Sequence, residues 1–313
     1  MACAVDELNR RLDDGEVIVI DGGMGTELQA RGVPMNHEAW CGLANLDHFD
    51  AVRGVHEDYI RAGADVLITN TYPTVRFMLE LAGYGERVEE INRRAVMAAL
   101  EARERAADRP VFIAGSMCPV WGIREARAKG LLGPDDDALR GAFSEQASIL
   151  ADAGVDLLIL EMFGSNWLPG LHAAADTGLP VWIGVMAGLT GAGTVVARRP
   201  SDVGEEEGGE LAVELEKMIT ASVSAITVMH SEVEAIEPAL RAIRDGFLLP
   251  FGAYPHVGTY QRPNWIFTGI SPDDFANHAV SWVHGGAQLV GGCCGIGPEH
   301  IRAIAERVPK QVR

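Results

Sequence analysis

Short apolar, β-branched runs recur along the chain, each bounded by turn-forming residues. Such runs at residues 17–20, 65–69, 111–115, 155–160, 180–186, 223–229, 249–254 and 287–290 predict eight strands. Between them, helical patterns run over residues 46–62, 86–107, 135–153, 211–221, 232–245, 272–284 and 298–308. The aspartates at 135–137 suit a helix N-terminus. Arg61-Ala62-Gly63-Ala64-Asp65-Val66 and Leu150-Ala151-Asp152-Ala153-Gly154-Val155 repeat one device: helix end, glycine cap, buried strand. His284-Gly285-Gly286-Ala287 repeats it again. Eight β/α units in about 300 residues have the size and rhythm of a (β/α)8 TIM barrel, an α/β fold, with residues 1–313 as its single domain. A doubly wound open sheet competes, but it carries a Gly-rich phosphate fingerprint after its first strand. Gly22-Gly23-Met24-Gly25-Thr26 is only loosely of that kind.

In a barrel, chemistry collects at the carboxyl ends of the strands. Those positions read Asp21, Thr69-Asn70-Thr71-Tyr72, Ser116, Glu161, Met186, His230, Tyr254-Pro255-His256 and Cys293-Cys294. Polar, acidic and metal-ligand types gather there while the strand bodies stay apolar, which points to an enzyme. The run Gly291-Gly292-Cys293-Cys294-Gly295 is the most informative. Neighbours on a strand face opposite ways, so adjacent thiols converge only where the backbone leaves strand geometry. The flanking glycines permit that. A metal site and a vicinal disulfide are the two readings of such a pair.

Bulk properties narrow the partners. A net charge of −18 is wrong for nucleic-acid phosphates or an anionic membrane. No apolar run is long enough to span a bilayer, and the charged, helical N-terminus has no signal-peptide core. Five cysteines is an odd and low number, which favours a reducing, cytoplasmic setting over a secreted disulfide scaffold.

Asp21-Gly22-Gly23-Met24-Gly25-Thr26-Glu27-Leu28, Thr69-Asn70-Thr71-Tyr72, Glu161 and Gly291-Gly292-Cys293-Cys294-Gly295 together resemble the homocysteine S-methyltransferase family. The resemblance runs from Asp21 to about His300. It implies a (β/α)8 barrel and a Zn2+ cofactor held by three cysteines, one after strand six and two after strand eight. Zinc lowers the pKa of the homocysteine thiol, and the thiolate attacks a methyl group on an onium donor. The resemblance implies Cys293 and Cys294 as ligands. It sets Asp21 and Glu161 near the acceptor's amino group and the site floor, as catalytic positions. It makes Gly22, Gly23, Thr69, Asn70 and Tyr72 candidate substrate contacts, to which the residues themselves add Trp40 and His256. Homocysteine and a methyl-onium small molecule are the expected partners, and a homo-oligomer is allowed.

The chain departs from the family wording in three places. After strand six it reads Val228-Met229-His230-Ser231, with His230 where the family has cysteine. Imidazole is also a zinc ligand, so His230 is expected to complete the set. Exchanging one thiolate for neutral imidazole raises the centre's formal charge from about −1 to about 0. In Tyr254-Pro255-His256-Val257-Gly258, His256 replaces the family's asparagine. A fourth ligand, an outer partner, a substrate contact and a structural histidine are all open there. The loops at 118–122 and 187–209 follow other wording; the second reads as a mobile, solvated lid.

Trp40 and Tyr72 are candidates to face a cationic methyl donor, with Trp121 and Trp167 also in strand-end loops. Tyr260 and Trp265 read as packing or interface residues, Met24 and Met186 as packing, and Cys3, Cys41 and Cys118 as structural. The leading function is zinc-dependent methyl transfer from S-methylmethionine, S-adenosylmethionine or a betaine-like compound to homocysteine. The alternative is a repurposed barrel whose His/Cys2 metal site performs hydrolysis, demethylates another compound or only binds a ligand.

Overall fold

The computed structural model describes residues 4–118, 122–163, 167–201 and 204–312, with the side chains of residues 4, 163, 167, 200, 201 and 204–206 outside that set. Cys3, Trp121 and the Trp167 side chain therefore lie outside the described residues. The strands are β1 (Ile18–Val19), β2 (Val66–Ile68), β3 (Phe112–Met117), β4 (Leu157–Phe163), β5 (Val181–Leu189), β6 (Val195–Ser201), β7 (Gly204–Glu210), β8 (Val223–Met229), β9 (Phe251–Tyr254), β10 (Thr259–Gln261), β11 (Asn264–Ile266) and β12 (Leu289–Val290). Eight of them pair in parallel in the order β1-β12-β9-β8-β5-β4-β3-β2. A parallel bridge between Ile20 and Val66 joins the two ends. The circle is the expected (β/α)8 TIM barrel, and all eight strand runs read from the sequence are its staves.

Parallel strands covered on both faces are continuous apolar runs, and residues 181–187 of β5 are all buried. Trp182, Phe112, Phe143 and Phe275 are wholly buried, each contributing about 1.5–3 kcal/mol. Gly63 and Gly154 end their helices in the left-handed region, at φ 112° and 99°. Asp135 caps the helix Asp136–Ala153 by accepting from the Ala138 N–H at 2.9 Å.

Two expectations are corrected. The helical stretch at 46–62 is two helices, Ala44–Asp47 and Phe49–Ala62, broken at His48 (φ −134°). The break lets Asn45 donate to the Asn70 carbonyl at 2.9 Å, anchoring the short helix to the loop after β2. The stretch at 187–209 is also largely ordered strand. β5 continues to Leu189, and β6 and β7 fold back as antiparallel strands, with Leu189 opposite Val195 and Arg198 opposite Glu207. Glycines and charges hide its alternation; the Arg198–Glu207 pair at 3.6 Å supports the register. A second hairpin, β10–β11, follows β9.

Candidate active site

The site begins at the barrel seam. β1 is too short to ladder fully with β2, and carboxylates take over. Asp65 Oδ2 accepts from the Val19 N–H at 3.0 Å, and Asp21 Oδ2 accepts from the Ile68 N–H at 2.9 Å. The Tyr254 hydroxyl donates to Asp21 Oδ1 at 3.2 Å. Asp21 is wholly buried, and burial holds its carboxyl well above the usual range, against the pull of the Ile68 N–H. Its carboxyl group does not line the cavity but holds Tyr254, which does. Thr26 ties this motif to the cysteine turn: its hydroxyl donates to the Gly23 carbonyl at 3.1 Å and accepts from the Gly295 N–H at 3.0 Å.

β12 stops at Val290, and the chain turns through residues 291–297. A Cβ on Gly291 would stand 2.7 Å from the Ile20 carbonyl, so only glycine lets the turn lie against the seam. Gly295 has φ 82°, which glycine tolerates freely. Cys293 and Cys294 are free thiols with Sγ atoms 3.8 Å apart. His230 follows β8 with φ 46°, left-handed for a non-glycine residue and strained by roughly 1–3 kcal/mol. That backbone sets its Nδ1 3.7 Å from Cys293 Sγ, and the three donor atoms lie within 4.8 Å of one another. A tetrahedral zinc, with Zn–S about 2.3 Å and Zn–N about 2.0 Å, has S···S edges of about 3.8 Å and S···N edges of about 3.5 Å. The donor set fits zinc in type, and the two edges at Cys293 fit it in spacing. Burial, helped by repulsion from His256, pushes His230 down to about 3, so its ring stays neutral with a lone pair to give. The hydrogen bond with Cys294, then burial, pushes the Cys293 thiol well up. Only a bound cation reverses that and makes it a thiolate.

Across the barrel, Glu161 at the end of β4 is 8% exposed and accepts a short hydrogen bond from the Ser116 hydroxyl. Burial pushes its carboxyl up to about 7, against the pull of Ser116. Behind it runs a closed network. Thr71 Oγ1 donates to the Ser116 carbonyl at 2.7 Å, so at the 2.7 Å contact between the two hydroxyls Thr69 is the donor. The Ser116 N–H in turn donates to Thr69 Oγ1 at 3.1 Å. Asn70 donates to the Cys41 carbonyl and to Asn45 Oδ1, each at 3.0 Å, and accepts from Cys41 Sγ at 3.0 Å.

These groups surround one cavity of about 600 Å³. Gly22, Gly23, Trp40, Thr69, Asn70, Tyr72, Glu161, His230, His256, Cys293 and Cys294 all line it; of the candidate site residues only Asp21 does not. Trp40 makes edge contacts with Tyr72 and Tyr260, at 6.3 and 6.2 Å between centroids. Tyr72 donates to Met162 Sδ at 3.0 Å. The sequence gives no sign of Met162 or Arg262, and it reads Cys41 as structural, Tyr260 and Trp265 as packing or interface residues and Met24 and Met186 as packing; all seven line the cavity. Trp265 arrives on the β10–β11 hairpin, which Gln29 pins by bonding both Trp265 backbone groups, at 2.7 and 2.9 Å. A signal existed in the aromatics clustered after strand seven. Met162 gave none, because its exposure to the cavity follows from a bulge in β4 and φ 53°.

Residues 18–308 match the profile described as homocysteine S-methyltransferase. A selenocysteine methyltransferase of Astragalus bisulcatus is 30% identical over 326 residues, covering 93% of this chain and 92% of that protein. Homocysteine S-methyltransferase 2 of Zea mays is 28% identical over 341 residues, covering 99% and 95%. Among solved structures, the metallated homocysteine methyltransferase MmuM of Escherichia coli aligns with a TM-score of 0.73 at 24% identity, covering 96% of this chain and 99% of that one. That structural likeness carries the barrel fold.

Proposed function

The chain belongs to the homocysteine S-methyltransferase family, and from that premise we propose that it moves a methyl group from a methyl-onium donor to the thiol of homocysteine on a zinc site made by His230, Cys293 and Cys294. The observation that supports this most is the donor spacing of 3.7 and 3.8 Å at the carboxyl ends of β8 and β12. Zinc bound there supplies Lewis acidity that keeps the acceptor sulfur a thiolate at neutral pH. Glu161 receives the acceptor's ammonium group at the opposite wall. The Gly22 and Gly23 backbone, Thr69 and Asn70 shape the floor beside it, and Asp21 holds that floor through Tyr254. Trp40 and Tyr72, extended by Tyr260 and Trp265, offer π faces to the donor's methylated cation.

The donor leaves as a neutral thioether or amine, so no acid is needed. The new S–CH3 bond forms as the donor's bond to that carbon breaks, and orientation supplies most of the rate. The donor's identity is tested with a panel of S-methylmethionine, S-adenosylmethionine and glycine betaine. Homocysteine and selenocysteine serve as acceptors, with products read by mass spectrometry on wild type and His230→Cys. Methylated acceptor from at least one onium donor upholds the reading. Hydrolysis or demethylation of the donor without acceptor methylation would favour a repurposed site.

A further inference from the structure

Among the described residues that line the cavity, Arg262 is the one lysine or arginine. A permanent cation is misplaced in a wall that receives a methylated cation, because like charges repel. Its partners resolve the conflict. Arg262 Nη2 donates to Glu38 Oε2 in a short hydrogen bond, and Nε donates to the His37 carbonyl at 2.8 Å. Those acceptors lie in a tightly bonded loop. Asn36 Oδ1 accepts from the Glu38 and Ala39 N–H groups, each at 2.8 Å, and the Asn36 N–H donates to the Trp40 carbonyl at 2.8 Å. The loop delivers Trp40 on left-handed backbone, at φ 40°. The indole Nε1 of Trp40 is buried and has no hydrogen-bond partner among the described residues, so packing orients its ring. One packing surface is Tyr260, which meets it edge-on with centroids 6.2 Å apart. Tyr260 stands opposite Trp265 in the β10–β11 hairpin, and Arg262 lies in the turn of that hairpin. Gln29 and the Val257 carbonyl hold the Trp265 strand. Arg262 ties the turn to the Trp40 loop, 224 residues away.

We propose that Arg262 is a positioning residue of the donor wall: its clasp on His37 and Glu38 fixes Tyr260 against Trp40, and Glu38 cancels a charge that would repel the donor. The inference rests on the onium-donor reading above, and Arg262 touches no reacting atom in it. A partly exposed ion pair adds little to folding, so losing the clasp moves the wall and leaves the fold. The two prongs need a guanidinium, which presents its donors in one plane where lysine offers a point charge.

Binding of trimethylsulfonium and of tetramethylammonium to the zinc-loaded protein, read by tryptophan fluorescence, tests this. Both should bind the wild type. Arg262→Ala should bind them roughly tenfold more weakly, about the worth of one well-placed ring. Electrostatics alone predicts the opposite sign, because this variant leaves Glu38 without its cation. Homocysteine affinity, zinc content and melting temperature should match wild type, and Arg262→Lys should recover part of the loss. Glu38→Gln keeps an acceptor but leaves the guanidinium charge uncancelled. Its cation affinity should fall at low salt and return toward wild type at high salt; a loss that ignores salt would overturn the charge cancellation. Cation binding by Arg262→Ala equal to wild type would overturn the proposal, as would an equal loss of cation and homocysteine affinity, which marks general damage to the site. A wild type that binds neither cation would overturn the donor wall itself, and this proposal with it.

Discussion

Two clusters of polar residues share one end of the barrel and are built on opposite principles. At the β1–β2 seam the polar atoms close on one another: Asp21 with Ile68 and Tyr254, Thr69 with Thr71 and Ser116, Asn70 with Cys41 and Asn45. At the ends of β8, β9 and β12 the atoms stay open. Cys293 and Cys294 meet each other, His230 stands on left-handed backbone, and His256 leaves Nδ1 bare. A buried polar group without a partner costs about 1–3 kcal/mol. The first cluster avoids that cost, while the second bears it and is ready for a ligand. The comparison teaches that the motif residues divide into a closed frame and an open face, and hydrogen-bond closure tells them apart.

The sharpest way to break the comparison is to exchange the expected phenotypes. Cys294→Ala should lose zinc and more than about 100-fold in methyl transfer, with the melting temperature of the metal-free protein nearly unchanged. Asp21→Ala should do the reverse. It strands the Ile68 N–H and leaves the Tyr254 hydroxyl only the Gly22 carbonyl, costing about 1–3 kcal/mol of stability by denaturant titration, while metal analysis finds zinc retained. Unchanged stability with a large rise in homocysteine KM would move Asp21 into the open face.

Glu161 lies between the two, closed to Ser116 on one side and open to the cavity on the other. Its carboxyl is pushed up to about 7, so the carboxylate that pairs with an ammonium is lost as pH falls. Homocysteine affinity should drop about tenfold from pH 8 to 6, and Glu161→Gln should start weak and lose that dependence. Stability carries the opposite sign. The native state keeps this proton up to about pH 7 while the unfolded chain releases it near its ordinary value of 4.5. The group's contribution is therefore full at acid pH and is lost as pH rises through 7. Glu161→Gln should melt higher than wild type at pH 8. His230→Cys, which adds a thiolate, should tighten zinc by about tenfold, an effect of about 1.4 kcal/mol.

The frame was largely legible in the sequence because its causes are local. Runs such as Val223–Met229 are buried on both faces and must be apolar, and a helix end followed by Gly63 needs little tertiary context. The cysteine pair and His230 could be read from their positions after strands. The rest depends on distant contacts. Trp265 reaches the cavity only because Gln29, 236 residues away, pins its hairpin. Cys41 meets the cavity through Asn70, and β6 and β7 are masked by glycine and charge. That Asp21 belongs to the frame is invisible without the Ile68 and Tyr254 contacts, since a strand-end aspartate reads the same in either role.

Zinc titration of the metal-free protein tests the central claim most directly, with transfer of an isotopically labelled methyl group to homocysteine measured at each step. The account predicts that labelled methionine appears in proportion to zinc, saturates at one zinc per chain, and stays absent in Cys294→Ala at any zinc level. Methyl transfer by the metal-free protein at the rate of the loaded one would contradict it.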